Sequence, residues 1–305
     1  MSSVSEGRFL GSSVPLLTRP PRFGTLLTDD GVPVEAVYEP CTAGSGAAED
    51  EGAAAPAATP AIVVAHGFSG SADRPAVRRA ARVFAQRAAV ITFSFRGHGR
   101  SGGRSTVGDR EVLDLAAAVA WARELGHTRV VTVGFSMGGS VVLRHGALYT
   151  AESVLGDSPV RVPEREGRTG SEGAHSDAVV SVSAPARWYY RGTAPMRRLH
   201  WVVTRPTGRL VGRYGLRTRI ATEDWDPVPL SPVAAVPLIA PAPLLLVHGD
   251  RDPYFPLDHP RMLAEAAGPG GAELWLERGM GHAENAADDA LLARIADWAT
   301  AAPPA

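Results

Sequence analysis

A chain of 305 residues, 45% hydrophobic and of formal net charge −1, can bury one large core or two modest ones and sets up no field that gathers nucleic acid. Its single cysteine, Cys41, excludes an internal disulfide and a cysteine-based metal site. All 31 basic residues are arginine, so a Schiff base, a pyridoxal-phosphate anchor, a Walker lysine and an S-x-x-K pair are all excluded. The N-terminus MSSVSEGRFLGSSVPLL lacks a basic start followed by a long apolar run, and no stretch reaches membrane-spanning length. No signal peptide and a cytoplasmic location are therefore expected.

In chain order, residues 23–38 alternate around Asp29-Asp30-Gly31 and predict a β-hairpin. Residues 41–60 are Ala/Gly/Pro-rich and read as a mobile loop. The run AIVVA at 61–65 predicts a buried strand, 74–88 an amphipathic helix and AVITFSF at 89–95 a third strand. A helix is predicted from about Val107 to Leu125, followed by a short strand around Val130, Val131 and Val133 and a helix after it. Residues 156–177 read as a surface loop, and strands follow at 178–183, 243–247 and 273–277. Helices are predicted at 258–267 and 286–300. This alternation implies an α/β fold with a mostly parallel sheet and right-handed crossovers.

The stretch RVVTVGFSMGGSVVLRHG at 129–146 carries the strongest chemical signal. Ser136 sits between a buried strand and a helix, in a turn so tight that the residues two before and two after it crowd each other; both, Gly134 and Gly138, are glycine. Such a turn exposes the hydroxyl as a nucleophile and aims the Met137 N–H, at a helix N-terminus, toward a developing oxyanion. The serine needs a base, and the base needs an acid to hold its tautomer. Among nine histidines His282 alone combines a late strand end, a flanking glycine and a position after the acid. Asp250 and Asp252 both follow a strand end and compete for the acid role. The G-x-G-x-x-G at 97–102 is a decoy for dinucleotide binding: the helix waits until Val107, and about 20 residues past Gly102, where an acid at a strand end is required, the chain is still helical.

The chain resembles α/β-hydrolases of the serine-hydrolase type that includes monoacylglycerol lipases and related small esterases. The resemblance rests on HGFSG at 66–70, FRGHGRSGG at 95–103, GFSMGG at 134–139, HGDRDPYFP at 248–256 and GMGHAEN at 279–285. It implies Asp252 as the acid, with Asp250 left as a turn residue, and Phe68 N–H as a second oxyanion donor beside Met137 N–H. It implies a structural role for the 97–102 loop and for His98.

Roughly residues 187–240 fall where this fold carries a cap. Residues 187–219 hold nine arginines and no acid, interleaved with Trp188, Tyr189, Tyr190, Trp201 and Tyr214. A solvated helical face is one reading; a cationic, aromatic lid that favours anionic or amphipathic acyl substrates, or a coenzyme A carrier, is the other. His66, Trp188, Tyr189 and Arg191 are the expected substrate contacts. The expectation is then a single α/β-hydrolase domain over 1–305, without cofactor or metal, acting on an ester. A thioesterase, an acyltransferase and a catalytically silent binding protein remain as alternatives. Nucleic acid and stable membrane insertion are not expected, and the oligomeric state is left open.

Overall fold

The computed structural model describes residues 20–43, 59–150 and 173–302. Most of the predicted 41–60 loop and of the 156–177 loop lies outside them. Eight strands form one sheet: β1 (Arg22–Leu27), β2 (Pro33–Glu39), β3 (Ala61–Ala65), β4 (Ala89–Phe93), β5 (Val130–Phe135), β6 (Ala178–Val182), β7 (Leu244–Gly249) and β8 (Glu273–Glu277), in the order β1-β2-β4-β3-β5-β6-β7-β8. The hairpin β1–β2 is antiparallel and β2 joins β4 antiparallel; β4, β3 and β5 to β8 are parallel. The five central strands β3 to β7 are buried along their whole length, which is why they read as runs rich in Ala, Val, Ile and Leu.

Strand alternation divides the core into two layers. Ala61, Val63 and Ala65 face α2 (Glu111–Glu124) and α3 (Met137–Leu148), whereas Ile62 and Val64 face α1 (Pro75–Phe84) and the C-terminal helix. Between β6 and β7 the chain makes α4 (Ala194–Thr204), α5 (Pro206–Tyr214) and the short α6 (Pro232–Ala235). Then come α7 (Asp258–Ala266), α8 (Ala283–Ala286) and α9 (Asp289–Ala301). No helix among the described residues is long and apolar enough to cross a membrane.

Two helix boundaries differ from the sequence pattern for identifiable reasons. Helix α2 starts at Glu111, not Val107, because residues 105–108 wrap around the Glu111 carboxylate. That carboxylate accepts from Ser105 Oγ, Thr106 N and Oγ1, Val107 N and Gly108 N at 2.7–3.2 Å. The last helix is split, because Asp288 caps α9 by accepting the Leu291 N–H at 2.8 Å.

The glycine-rich loop after β4 holds the insert. Arg219 N–H donates to Gly97 O at 2.8 Å, Ser105 N–H to Arg219 O at 2.7 Å and Ala221 N–H to Ser105 O at 2.8 Å. Gly97 has φ +76°, and a Cβ there would lie 2.4 Å from Arg219 O. The glycine is required for close backbone approach, not for a phosphate.

Candidate active site

Parallel strands deliver their carboxyl ends to one edge of the sheet, and the candidate residues gather there. Ser136 stands between the end of β5 and the start of α3 with φ +54° and ψ −112°, a conformation that a non-glycine residue adopts only under strain. It is held by Ser136 N–H donating to Val182 O at 2.8 Å on the neighbouring strand. A Cβ on Gly134 would lie 2.2 Å from Gly138 O, and one on Gly138 would lie 2.2 Å from Ala65 O. The turn closes only because both are glycine.

His282 follows β8, and its Nε2 lies 2.8 Å from Ser136 Oγ while its Nδ1 lies 2.7 Å from Asp252 Oδ2. Asp252, past the end of β7, has a fully buried side chain, and its Oδ1 accepts the amides of Tyr254 and Phe255 at 2.8 and 3.1 Å. Burial works against its charge. The His282 hydrogen bond, the charge of that ring and the two amides outweigh burial and hold the carboxyl below its usual range. An ionised carboxylate accepts from Nδ1–H, which leaves Nε2 free to accept the serine proton. Asp250 faces elsewhere: its Oδ1 accepts the Gly279 N–H at 2.6 Å and fixes the turn before His282.

Met137 is the first residue of α3, where N–H groups have no acceptor within the helix. Gly67 to Gly70 form a turn closed by Gly70 N–H to Gly67 O at 2.9 Å, with Ser69 at φ +66°, and carry Phe68 to the same place. A Cβ on Gly67 would lie 3.4 Å from Ser136 Cβ, so this loop lies directly against the serine. Phe68, Ser136 and Met137 line a cleft of about 1020 Å³, counting its open mouth, whose lining is mostly apolar. Trp188, Tyr189 and Trp225 line it too, packed on each other with Trp225 5.2 and 5.5 Å from the other two rings.

The model of the alpha/beta hydrolase family matches residues 62–295, which span the serine turn, the acid and the histidine. The chain belongs to that family. Among curated proteins none matches it. Solved structures similar to this alpha/beta hydrolase include the esterase Pf2001 of Pyrococcus furiosus, at TM-score 0.62 and 20% identity over 96% of this chain and 98% of that one. Another is XC6422 of Xanthomonas campestris, described as a serine hydrolase without lid, at TM-score 0.51 and 18% identity over 94% of each chain. A third is the esterase domain of a Rhodothermus marinus protein, at TM-score 0.53 and 16% identity over 91% and 95%. At these identities the likeness is one of fold.

Of the residues singled out from the sequence, Ser136, Asp252, His282, Phe68, Met137, Trp188 and Tyr189 come together at this edge of the hydrolase. Two expected substrate contacts are corrected. His66 is wholly buried beneath the loop, with Nδ1 2.7 Å from Gly67 O and Nε2 accepting the Phe95 N–H at 3.0 Å. Burial, above all, pushes its pKa down to about 3, so it stands neutral as a scaffold for the Phe68 turn. Arg191 is exposed and lies outside the cleft lining. Of the nine arginines in 187–219 only Arg187 lines the cleft, and Asp258 pairs with it at 3.1 Å. The cationic lid over the substrate is therefore not what these arginines make.

Three neighbours carried no signal in the sequence. Tyr254 stacks on His282 with ring centroids 4.3 Å apart and an interplanar angle of 29°. Its carbonyl accepts from Thr193 Oγ1 at 2.9 Å, which ties the N-cap of α4 to the ring beside the histidine. Trp225 donates Nε1–H to Thr106 O at 2.7 Å and closes one wall. Glu284, nearly buried, accepts the Gly67 N–H at 3.3 Å and braces the loop that carries Phe68. Among the described residues no group of three or more metal-ligating side chains is arranged to hold a metal ion.

Proposed function

We propose that this alpha/beta hydrolase is a serine hydrolase that cleaves a carboxylic ester through an acyl-enzyme. The observation that carries the reading is the continuous hydrogen-bonded chain Asp252–His282–Ser136, with the serine strained outward at the base of an apolar cleft. His282 Nε2 accepts the Ser136 proton as Oγ attacks the acyl carbonyl. The Phe68 and Met137 amides stabilise the oxyanion. The imidazolium, stabilised by ionised Asp252, protonates the leaving alkoxide, and the same histidine then activates the water that releases the acid.

An ester of a small or medium acyl chain suits a mostly apolar lining better than a phosphorylated carrier thioester, since of the insert's arginines only Arg187, already paired with Asp258, lines the cleft. The residues between β6 and β7 act as a cap over the site. Intact mass after a fluorophosphonate, with Ser136→Ala as control, tests the nucleophile. Hydrolysis of p-nitrophenyl esters from acetate to laurate sizes the cleft. Labelling lost in the variant together with a chain-length optimum is expected; no labelling and no turnover would leave only the fold.

A further inference from the structure

The arginines between 187 and 219 leave a question that the cleft does not answer. Some arginines elsewhere in the molecule meet carboxylates: Arg78 pairs with Glu39, Arg87 with Asp297, Arg123 with Asp177 and Arg294 with Glu277. In the insert, eight of the nine have no carboxylate partner among the described residues. Where their guanidinium groups are engaged they donate to uncharged carbonyls: Arg197 to Arg191 O and Gly192 O, Arg209 to Val203 O, and Arg219 to Gly103 O and Ser101 O. Their charge is left uncompensated.

Helix α4 has two faces. Met196, Leu199, His200 and Val203 line the cleft. Arg197, Arg198 and Trp201 are exposed and, at roughly 100° per residue, fall within one arc on the opposite side, and exposed Arg205 follows at the extended link to α5. Helix α5 packs on α4 through Gly208, where a Cβ would lie 2.2 Å from Trp201 O, and it exposes Leu210, Val211, Arg213 and Tyr214. Trp201 is 45% exposed, Leu210 57%, Val211 46% and Tyr214 75%, so large apolar side chains stand in water among the unpaired cations.

We propose that this outer face of α4 and α5 docks the protein peripherally on an anionic phospholipid surface. Charge complementarity selects the anion: residues 194–214 hold five arginines, Arg197, Arg198, Arg205, Arg209 and Arg213, and no acid, in a chain whose net charge is −1. The apolar side chains select a bilayer over a hydrated polyanion. Arginine reaches headgroup phosphates while Trp, Tyr and Leu settle at the acyl boundary, whereas a nucleic acid would leave Leu210 and Val211 hydrated. The docking face lies on the far side of α4 from the cleft lining, so binding does not need the catalytic residues.

Co-sedimentation with vesicles of phosphatidylcholine alone, and of phosphatidylcholine with phosphatidylglycerol, tests it. Wild-type protein is expected to sediment with the anionic vesicles, less so as salt rises, and not with the neutral ones. Each arginine at a charged bilayer contributes about fivefold. Arg198→Glu/Arg205→Glu/Arg213→Glu is therefore expected to weaken binding by more than about tenfold, and Trp201→Ser/Tyr214→Ser by several-fold. Both variants should hydrolyse p-nitrophenyl butyrate as wild type does, which reports an intact fold and keeps the result separate from the ester reading. No sedimentation at low salt, or equal sedimentation with neutral vesicles, overturns the proposal. So does loss on charge reversal with Trp201→Ser/Tyr214→Ser unaffected, because that pattern belongs to an acidic protein or nucleic acid.

Discussion

The phenol ring of Tyr254 lies flat against the imidazole of His282, 4.3 Å between centroids, while the Tyr254 amide donates to Asp252 at 2.8 Å. One residue thus touches both members of the proposed acid–base pair: Asp252 through its backbone, His282 through its ring. The face of an aromatic ring attracts a cation, so this contact strengthens when His282 takes the serine proton, by about 0.5–1 kcal/mol at a partly exposed site.

Tyr254→Leu keeps the amide and loses the ring face. A kcat lower by about two- to fivefold is expected. KM should be unchanged, since Tyr254 is not among the residues lining the cleft. Tyr254→Phe keeps the face and should retain the wild-type kcat. Steady-state kinetics on a soluble p-nitrophenyl ester separates these outcomes; equal kcat in all three proteins would reduce the ring to a wall.

The two aspartates of the HGDRD segment should part sharply. Asp252→Asn removes the charge that fixes the His282 tautomer, and a loss of about 10⁴ in kcat is expected with the fold preserved. Asp250→Asn retains an oxygen that accepts the Gly279 N–H, so activity should stay within about threefold and stability within about 1 kcal/mol. Turnover and urea unfolding of the two variants side by side check the assignment. Comparable activity loss in both would move the acid role.

At the serine turn the constraint is steric. Gly134→Ala and Gly138→Ala each force a methyl to within 2.2 Å of a backbone oxygen, Gly138 O and Ala65 O respectively, and neither can yield without moving a buried strand or helix end. Destabilisation of more than about 3 kcal/mol, or failure to accumulate folded protein, is expected from each. Gly279→Ala is the contrast: its φ of +76° makes alanine strained, but nothing lies near its Cβ position, so a cost of about 1–2 kcal/mol is expected. Thermal or denaturant midpoints rank the three.

Legibility in the sequence tracked how local each cause was. The buried strands were readable because their Val/Ile runs have no other use, and Ser136 because Gly134 and Gly138 encode its turn in five consecutive residues. Asp252 and His282 were legible as strand-end residues, but the choice between Asp250 and Asp252 needed the resemblance. What escaped depends on side-chain contacts that no periodicity records. The start of α2 was misplaced because Glu111 gathers the amides of 106–108 by a side-chain cage, which leaves no periodic trace. His66 looked like a substrate contact because its neighbours Gly67 and Phe68 form the loop; only burial against Phe95 shows that its ring points inward. Arg191 is expected at the cleft because the sequence places it among the aromatics of the insert, two residues from Tyr189, without showing that its side chain faces solvent.

Buried histidines give the fold a definite pH dependence. His145 on α3 is wholly buried, stacked on Tyr149 at 4.7 Å, and burial, above all, pushes its pKa down to about 3. In the unfolded chain it titrates near 6.5, so between these values the unfolded state holds a proton that the folded state refuses. Its contribution is therefore fully present above about pH 6.5 and is lost as pH falls, at up to about 1.4 kcal/mol per pH unit. His66, also lowered to about 3, adds a parallel loss over the same window. Urea unfolding at about pH 7.5, 6.5, 5.5 and 4.5 should show stability falling with acid. His145→Gln removes one titrating group, so its curve should fall less steeply by about 1.4 kcal/mol per pH unit at most, even if the variant is less stable at pH 7.5. Parallel curves for the two proteins would mean that His145 is protonated in the folded state, against the closed surroundings that the fold builds around it.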